Sequence, residues 1–232
     1  MKKKGVILLS GGIDSATAAA IAINQGFDLS AITFFYSQRH DIEIKCSEKL
    51  VEFLKIKDHI KISLPADIFK SALISESKLN IPKNRNIKNI KEDIIPETYV
   101  PARNIIFLSY ALAYGESIGA KDIFIGATEV DYSGYPDCRA EFFSAFKKMA
   151  DIGTKTGAEG GEFIIHTPLL HLHKHEIISL GTELGVDYSL THSCYDPSIE
   201  GYSCGKCDSC LIRMKGFVDA GIPDPTIYKR KI

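Results

Sequence analysis

The chain is 232 residues long, 45% hydrophobic and 25% charged, and its 28 basic and 29 acidic side chains nearly cancel. A mass of 25.6 kDa suits one large domain, alone or with an appendage, and can bury a core without disulfide staples. This excludes a disordered tail, a collagenous chain and a disulfide mini-scaffold, and no global field draws the protein to nucleic acid or to an anionic membrane. No apolar run approaches the roughly 18 residues of a membrane span. Met1–Lys4 followed by Gly5–Leu9 is too short for a signal peptide and lacks a cleavage pattern. The expectation is therefore a cytoplasmic protein whose six cysteines are thiols.

Gly5–Leu9 reads as a buried strand ending in a Ser-Gly-Gly turn, and the Ala-rich stretch Ser15–Gln25, closed by Gly26, as a helix. Leu29–Phe35 is a second strand and Ile60–Leu64 a third. Between them His40–Ile56 places Ile44, Leu50, Val51 and Leu54 on one helical face. Strands separated by helices of this length imply βαβ units and a parallel sheet covered on both sides. Residues 75–100 break the rhythm. Within them Lys78–Lys91 holds five cationic residues, four Asn and no carboxylate, and reads either as a mobile lid over a phosphate site or as a solvated insertion. Pro101 then opens a helix to about Ser117, and Lys121–Ala127 is a strand. Cys138–Lys155 is a helix with Phe142, Phe143 and Phe146 on one side, Phe163–His166 a strand and Lys174–Leu184 a helix. From His192 the composition changes.

Ser10-Gly11-Gly12-Ile13-Asp14-Ser15 sits where the first strand hands over to a helix. Backbone amides and a helix N-terminus make an anion site there, glycines let phosphate approach, and the Ser10 and Ser15 hydroxyls add donors. The Gly-Lys-Ser/Thr of a Walker loop and the Gly-x-Gly-x-x-Gly of a dinucleotide fold are both absent from this turn. A carboxylate inside a phosphate loop needs a mediating cation, so Asp14 is a candidate to hold Mg²⁺; the bland reading is a turn in which Asp14 and Ser15 cap the next helix.

Cys194-x9-Cys204-x2-Cys207-x2-Cys210 supplies four sulfurs. Four thiolates close a tetrahedral shell, which favours a structural zinc over a water-activating one, with an iron–sulfur cluster as the alternative. His171, His173 and His175 alternate as an extended segment would, but the cysteine site is already complete, so they read as solvated or capping residues. Lys174 between them opens a helix and is a candidate to reach a phosphate. Tyr99–Asn104 places Arg103 and Asn104 in the first turn of a helix. The loop Asp131–Arg139 follows a strand end, where open α/β sheets bind ligands. Its Tyr faces can stack on a flat heterocycle, its Asp can accept from ring N–H and amino groups, and Arg can clamp a carboxylate.

The string Ser10–Ser15 resembles the phosphate loop of the PP-loop ATP pyrophosphatases. Together with Tyr36–His40 and Glu43, Tyr99–Asn104, Asp131–Arg139 with Glu141 and Phe142, the four cysteines, Arg213, Gly216-Phe217, Ala220-Gly221 and Asp224–Thr226, the whole chain resembles the 7-cyano-7-deazaguanine synthase family. The resemblance implies an α/β fold, a Rossmann-like parallel sheet with helices on both faces, over 1–191, and a C-terminal four-cysteine zinc knuckle with a helical segment over 192–232. It implies that 7-carboxy-7-deazaguanine, ATP and ammonia yield the nitrile through an adenylated acid, an amide and an adenylated amide, with AMP and pyrophosphate released. ATP and Mg²⁺ would lie over Leu9, Ser10, Gly11, Gly12, Ile13, Asp14, Ser15, Ala16, Thr17, Ala18 and Ala19, with Lys174 near the phosphates. Asp14, Ser15, Arg103 and Arg139 would carry catalysis. Gln38, Arg39, Asn104, Asp131, Tyr132, Tyr135 and Asp137 would bind the deazapurine. One structural Zn²⁺ per chain, free ammonium as nitrogen donor, a homodimer, and no stable nucleic-acid or membrane partner complete the expectation. Two rivals remain: a PP-loop tRNA-thiolating enzyme using Cys46 and Cys138, and a zinc-ribbon module that only senses nucleotide.

Overall fold

The computed structural model describes residues 2–36, 42–74, 80–85, 95–130 and 134–229. The first strand, β1 (Lys3–Leu8), is paired on both sides, with β2 (Phe27–Phe35) and with β4 (Asp122–Ile125), while β3 (Asp58–Ser63) extends β2 and β5 (Ile164–His166) extends β4. All pairs are parallel, in the order β3-β2-β1-β4-β5. Near-continuous burial of Val6–Leu8 and Leu29–Phe34 follows from helices on both faces.

Successive residues of a strand face opposite ways, and the two resulting cores are distinct. Val6, Leu8, Ile32 and Phe34 pack under α3 (Arg103–Ile118) and α4 (Ala140–Gly153), meeting Leu108, Phe143 and Phe146. Ile7, Leu9 and Ala31 pack under α1 (Ile13–Asn24), α2 (Ile42–Phe53), α6 (Lys174–Glu183) and α7 (Asp208–Ala220), meeting Leu50, Ile177, Ile178 and Phe217. The alanines of α1 let it lie close to the sheet: Ala16, Ala18, Ala19 and Ala22 are fully buried. None of the described helices is long and apolar enough to cross a membrane.

The expected strands and helices are present, with shifts that have local causes. The helix expected from Pro101 starts at Arg103, because Ala102 adopts a left-handed backbone, φ +55°, and turns the chain first. The helix expected over Cys138–Lys155 starts at Ala140: Pro136–Cys138 is a 3-10 turn and Arg139 is extended. It ends at Gly153, and Thr154 caps a separate short helix, α5 (Lys155–Ala158).

The described part of the Lys/Asn-rich segment corrects the lid expectation; Lys78, Leu79 and 86–91 lie outside the described residues. Lys83 bridges Cys207, and the Asn84 N–H donates to the Lys206 carbonyl at 2.8 Å. Ile81 packs with Ala72, Cys194, Cys207 and Cys210 in a third small core. Arg85 forks onto the buried Asp208 carboxylate, its Nε 3.0 Å from Oδ1. Residues 80–85 strap the cysteine segment instead of covering the phosphate loop.

Candidate functional site

The sheet order turns back between β1 and β4, and there the strand ends open into a cavity of about 270 Å³. An α/β sheet binds ligands at this switch point, outside the carboxyl ends of its strands. Leu9, Ser10, Gly12, Ile13, Asp14 and Ser15 form one wall. The Ser15 hydroxyl accepts from the Ser10 N–H at 3.1 Å and lies 3.1 Å from the Ser10 hydroxyl, which fixes the turn with the N-terminus of α1 facing the cavity. Gly11 (φ +84°) is required twice over, since a Cβ there would sit 2.4 Å from the Glu43 carbonyl. Gly126, just after β4, lets that strand end touch the first turn of α1; a Cβ there would lie 2.7 Å from the Asp14 carbonyl.

Lys174 opens α6, and its ammonium reaches across to Asp14 Oδ1 at 2.5 Å with only 9% of the side chain exposed. The helix start that holds it is fixed by a capping box: the His173 side chain accepts from the third helical N–H, and Glu176 accepts from the His173 N–H at 2.8 Å. His173 is thus a cap, as expected of a histidine here. His171 pairs with Glu129 at 2.9 Å.

The opposite wall is aromatic and cationic. The half-buried Arg103 guanidinium is hydrogen-bonded to Tyr36 and lies beside Tyr135 and Cys138. Asn104, Phe107, Phe34 and Tyr135 continue this wall, Phe34 stacked on Phe107 at 4.0 Å. The strained start of α3 is over-determined: the Tyr99 hydroxyl accepts from the Ala102 N–H at 3.1 Å, and the Asp137 carboxylate from the Asn104 N–H at 2.9 Å. The Asn104 amide donates to the Asp137 carbonyl, also at 2.9 Å.

The third wall comes from the C-terminal segment, through His192, Ser193, Tyr195, Ser209, Ile212 and Arg213. Arg213 is buried and donates to Thr191 (2.9 Å), Ser193 (3.3 Å), the Tyr188 carbonyl (3.1 Å) and Asp224 (3.1 Å). These bonds tie α7 to the body of the protein. The sulfurs of Cys194, Cys204, Cys207 and Cys210 lie within 4.8 Å of one another and can hold a metal ion. Backbone N–H groups already point at them: Cys204 and Asp196 donate to Cys194 (3.1 and 3.3 Å), Cys207 and Lys206 to Cys204 (3.3 and 3.4 Å), and Tyr195 to Cys207 (3.4 Å). Donors aimed at sulfur stabilise thiolates, and closely spaced thiolates need a cation between them, so the donor set fits a closed sulfur-bound metal. For a hard divalent cation the fit is different. Asp14 offers carboxylate oxygen on the open side of the cavity beside Lys174, which suits an ion that keeps most of its waters.

Several expected site residues lie elsewhere. Ala16, Thr17, Ala18 and Ala19 are fully buried inside α1; the Thr17 hydroxyl is spent on the Ile13 carbonyl (2.9 Å) and on Tyr188 (2.8 Å). Gly11 shapes the turn from behind. Asp137 is buried and serves the α3 start rather than the cavity. Arg139 is 47% exposed at the head of α4, 3.9 Å from Glu141, and is not a wall residue. Gln38, Arg39, Asp131 and Tyr132 lie outside the described residues. Sequence reasoning gave no site role to Phe34, Phe107, His192, Tyr195 or Ser209, which read as ordinary strand, helix and loop residues. The signals available were that Tyr195 and Ser209 flank two of the four clustered cysteines and that Phe34 lies next to the end of a strand.

The free thiols bear on the thiolation rival. Burial pushes the Cys138 thiol up to about 11, with Arg103 offsetting only part of it, and burial also raises Cys46. Neither thiol is an activated nucleophile at neutral pH.

Residues 4–221 match the family model described as "Queuosine biosynthesis protein QueC". The 7-cyano-7-deazaguanine synthase of Syntrophobacter fumaroxidans is 52% identical over 231 residues, 99% of this chain and 97% of that protein. The enzyme of the same name from Methylococcus capsulatus is 48% identical over 227 residues, 98% and 99% of the two chains. Among solved structures, a 4-thiouridine synthetase–RNA complex with bound ATP superposes with a TM-score of 0.52 at 18% identity, over 97% of this chain and 47% of that one, a likeness of fold.

Proposed function

The chain belongs to the QueC family of queuosine biosynthesis proteins, and on that premise we propose that it is an ATP-dependent 7-cyano-7-deazaguanine synthase. The observation that carries this reading is a single cavity with a phosphate-type loop on one side and Arg103 among aromatic rings on the other. Such a cavity brings a nucleotide α-phosphate to a carboxylate held on a flat heterocycle.

ATP phosphates lie against the Ser10–Ser15 turn, where amides and the α1 N-terminus receive negative charge. Lys174 turns from Asp14 toward the α-phosphate oxygens. Arg103 clamps the carboxylate of 7-carboxy-7-deazaguanine, held in orientation by Tyr36, while Tyr135, Phe107 and Asn104 contact the ring. The carboxylate oxygen attacks the α-phosphorus and pyrophosphate leaves. Ammonia then attacks the acyl carbon, loses a proton, and expels AMP to give the primary amide. The amide oxygen attacks the α-phosphorus of a second ATP and expels a second pyrophosphate; loss of AMP with both amide protons then forms the nitrile. No enzyme nucleophile takes part, so the protein's contribution is placement and charge. Asp14 would hold a Mg²⁺, which would supply charge neutralisation on the leaving pyrophosphate. Cys194, Cys204, Cys207 and Cys210 would hold one structural Zn²⁺. Free ammonium, a homodimer and a cytoplasmic setting are carried with this reading.

Quenched reactions of the protein with ATP, ammonium and the deazapurine acid test it. The expected outcome is AMP and pyrophosphate, two ATP per nitrile, with the amide transient. Mostly ADP overturns the phosphate-loop reading; AMP formation that leaves the deazapurine acid untouched keeps the loop and removes the substrate.

A further inference from the structure

Gly216 sits in the middle of α7, where glycine is a poor helix former, and it does not need the backbone freedom of that residue, since it lies within regular helix. Its absent side chain has a different use. A Cβ at Gly216 would lie 2.5 Å from Lys174 Cγ, 3.0 Å from Lys174 Cβ and 2.9 Å from Ile178 Cδ1. The shortest of these contacts is with the root of the lysine side chain, not with its flexible end. Lys174 is almost wholly buried and runs over this gap before reaching Asp14. A rotation near its root that cleared a Cβ would carry the ammonium, at the far end of the same lever, away from the phosphate loop.

We infer that Gly216 is a positioning residue: the gap it leaves in α7 is the channel that aims the Lys174 ammonium at the nucleotide loop. This rests on the nucleotide reading above and deepens it. The helix that carries the metal-binding cysteine Cys210 thereby also sets the direction of a loop-facing cation on α6. The rival explanation is helix packing alone, with Gly216 making room for Ile178.

ATP binding by calorimetry and steady-state kinetics on the metal-loaded protein separate these. Gly216→Ala is expected to weaken ATP binding at least tenfold and to raise KM for ATP while leaving KM for the deazapurine acid within twofold. Adding Ile178→Ala to Gly216→Ala removes the second collision only, so the ATP defect should persist. If the double variant regains wild-type ATP affinity, the glycine serves helix packing and the inference is overturned. Unaltered ATP binding by Gly216→Ala overturns it while the nucleotide reading stands; wild-type protein that binds no ATP overturns both. Should Gly216→Ala fail to fold, Lys174→Ala/Gly216→Ala, which removes the colliding Cγ, is expected to restore a cooperative melt, and its failure to do so also overturns the inference.

Discussion

The phosphate-loop wall and the C-terminal wall of the cavity are built by opposite strategies. The loop is local: Ser10 to Ser15 make their own turn, and the groups proposed to receive phosphate are backbone amides and two hydroxyls held by each other. The C-terminal wall is assembled at a distance. Ser193, Tyr195, Ser209 and Arg213 are placed by four sulfurs, by the strap of residues 80–85 and by the fork of Arg213 across to Tyr188, Thr191 and Asp224. Local construction leaves the rest of the wall standing when one group is lost, whereas distributed construction lets loss of any tie disturb folding and ligand contact together.

The largest expected effect tests the local wall. Asp14→Asn should lower turnover by a factor of about 10²–10³, the range for losing one preorganised electrostatic group. The structure adds a second consequence, because the substitution leaves the buried Lys174 ammonium without its carboxylate. A stability loss of about 1–3 kcal/mol should accompany the kinetic defect, with far-ultraviolet circular dichroism unchanged. Near-normal turnover would reduce Asp14 to a helix-cap residue.

Metal removal tests the distributed wall. Cys207→Ser, or chelation of the native protein, should release one zinc per chain and cost at least about 3 kcal/mol, roughly 10 °C in melting temperature for a protein of this size. Binding of the deazapurine acid should fall in parallel, since Tyr195 and Ser209 are next to cysteines of the cluster and line the cavity. Native protein that carries iron with visible absorbance, or an apo form that melts and binds as the holo form does, would break the contrast between the two walls.

The same contrast explains what the sequence could and could not reveal. Sheet and helix assignments were legible because buried parallel strands are continuous apolar runs and glycines punctuate the helices, as Gly26 (φ +88°) does after α1. The turn was legible because the residues that make it are consecutive. The cysteine cluster was legible from spacing, although its position as a cavity wall was not, since that depends on α7 docking against α6. Ala16–Ala19 bring no side chain to the cavity, because this part of α1 packs into the core. Charge and Asn content make Lys78–Lys91 look exposed in sequence, whereas for its described residues 80–85 Ile81 and the Arg85–Asp208 pair decide the docking.

The smallest effect expected comes from the pair of arginines that sequence alone left equivalent. Arg103 and Arg139 both flank helix starts, and both suit a carboxylate by charge. Their surroundings differ. Arg103 is half-buried in the cavity, hydrogen-bonded to Tyr36, so a carboxylate reaching it meets a guanidinium that has little water left to lose. Arg139 points to solvent and makes a long ion pair with Glu141, an arrangement that contributes less than about 1 kcal/mol. Arg103→Ala should therefore raise KM for the deazapurine acid by about 10²-fold, the scale of removing one partner of a desolvated charge pair, with ATP binding little changed. Arg139→Ala should shift stability by no more than about 0.5 kcal/mol and leave both KM values near wild type. Steady-state kinetics of the two variants side by side decide the matter. A reversal, with Arg139→Ala the impaired one, would mean that substrate enters from the α4 side and that the aromatic wall beside Arg103 is packing rather than a binding surface.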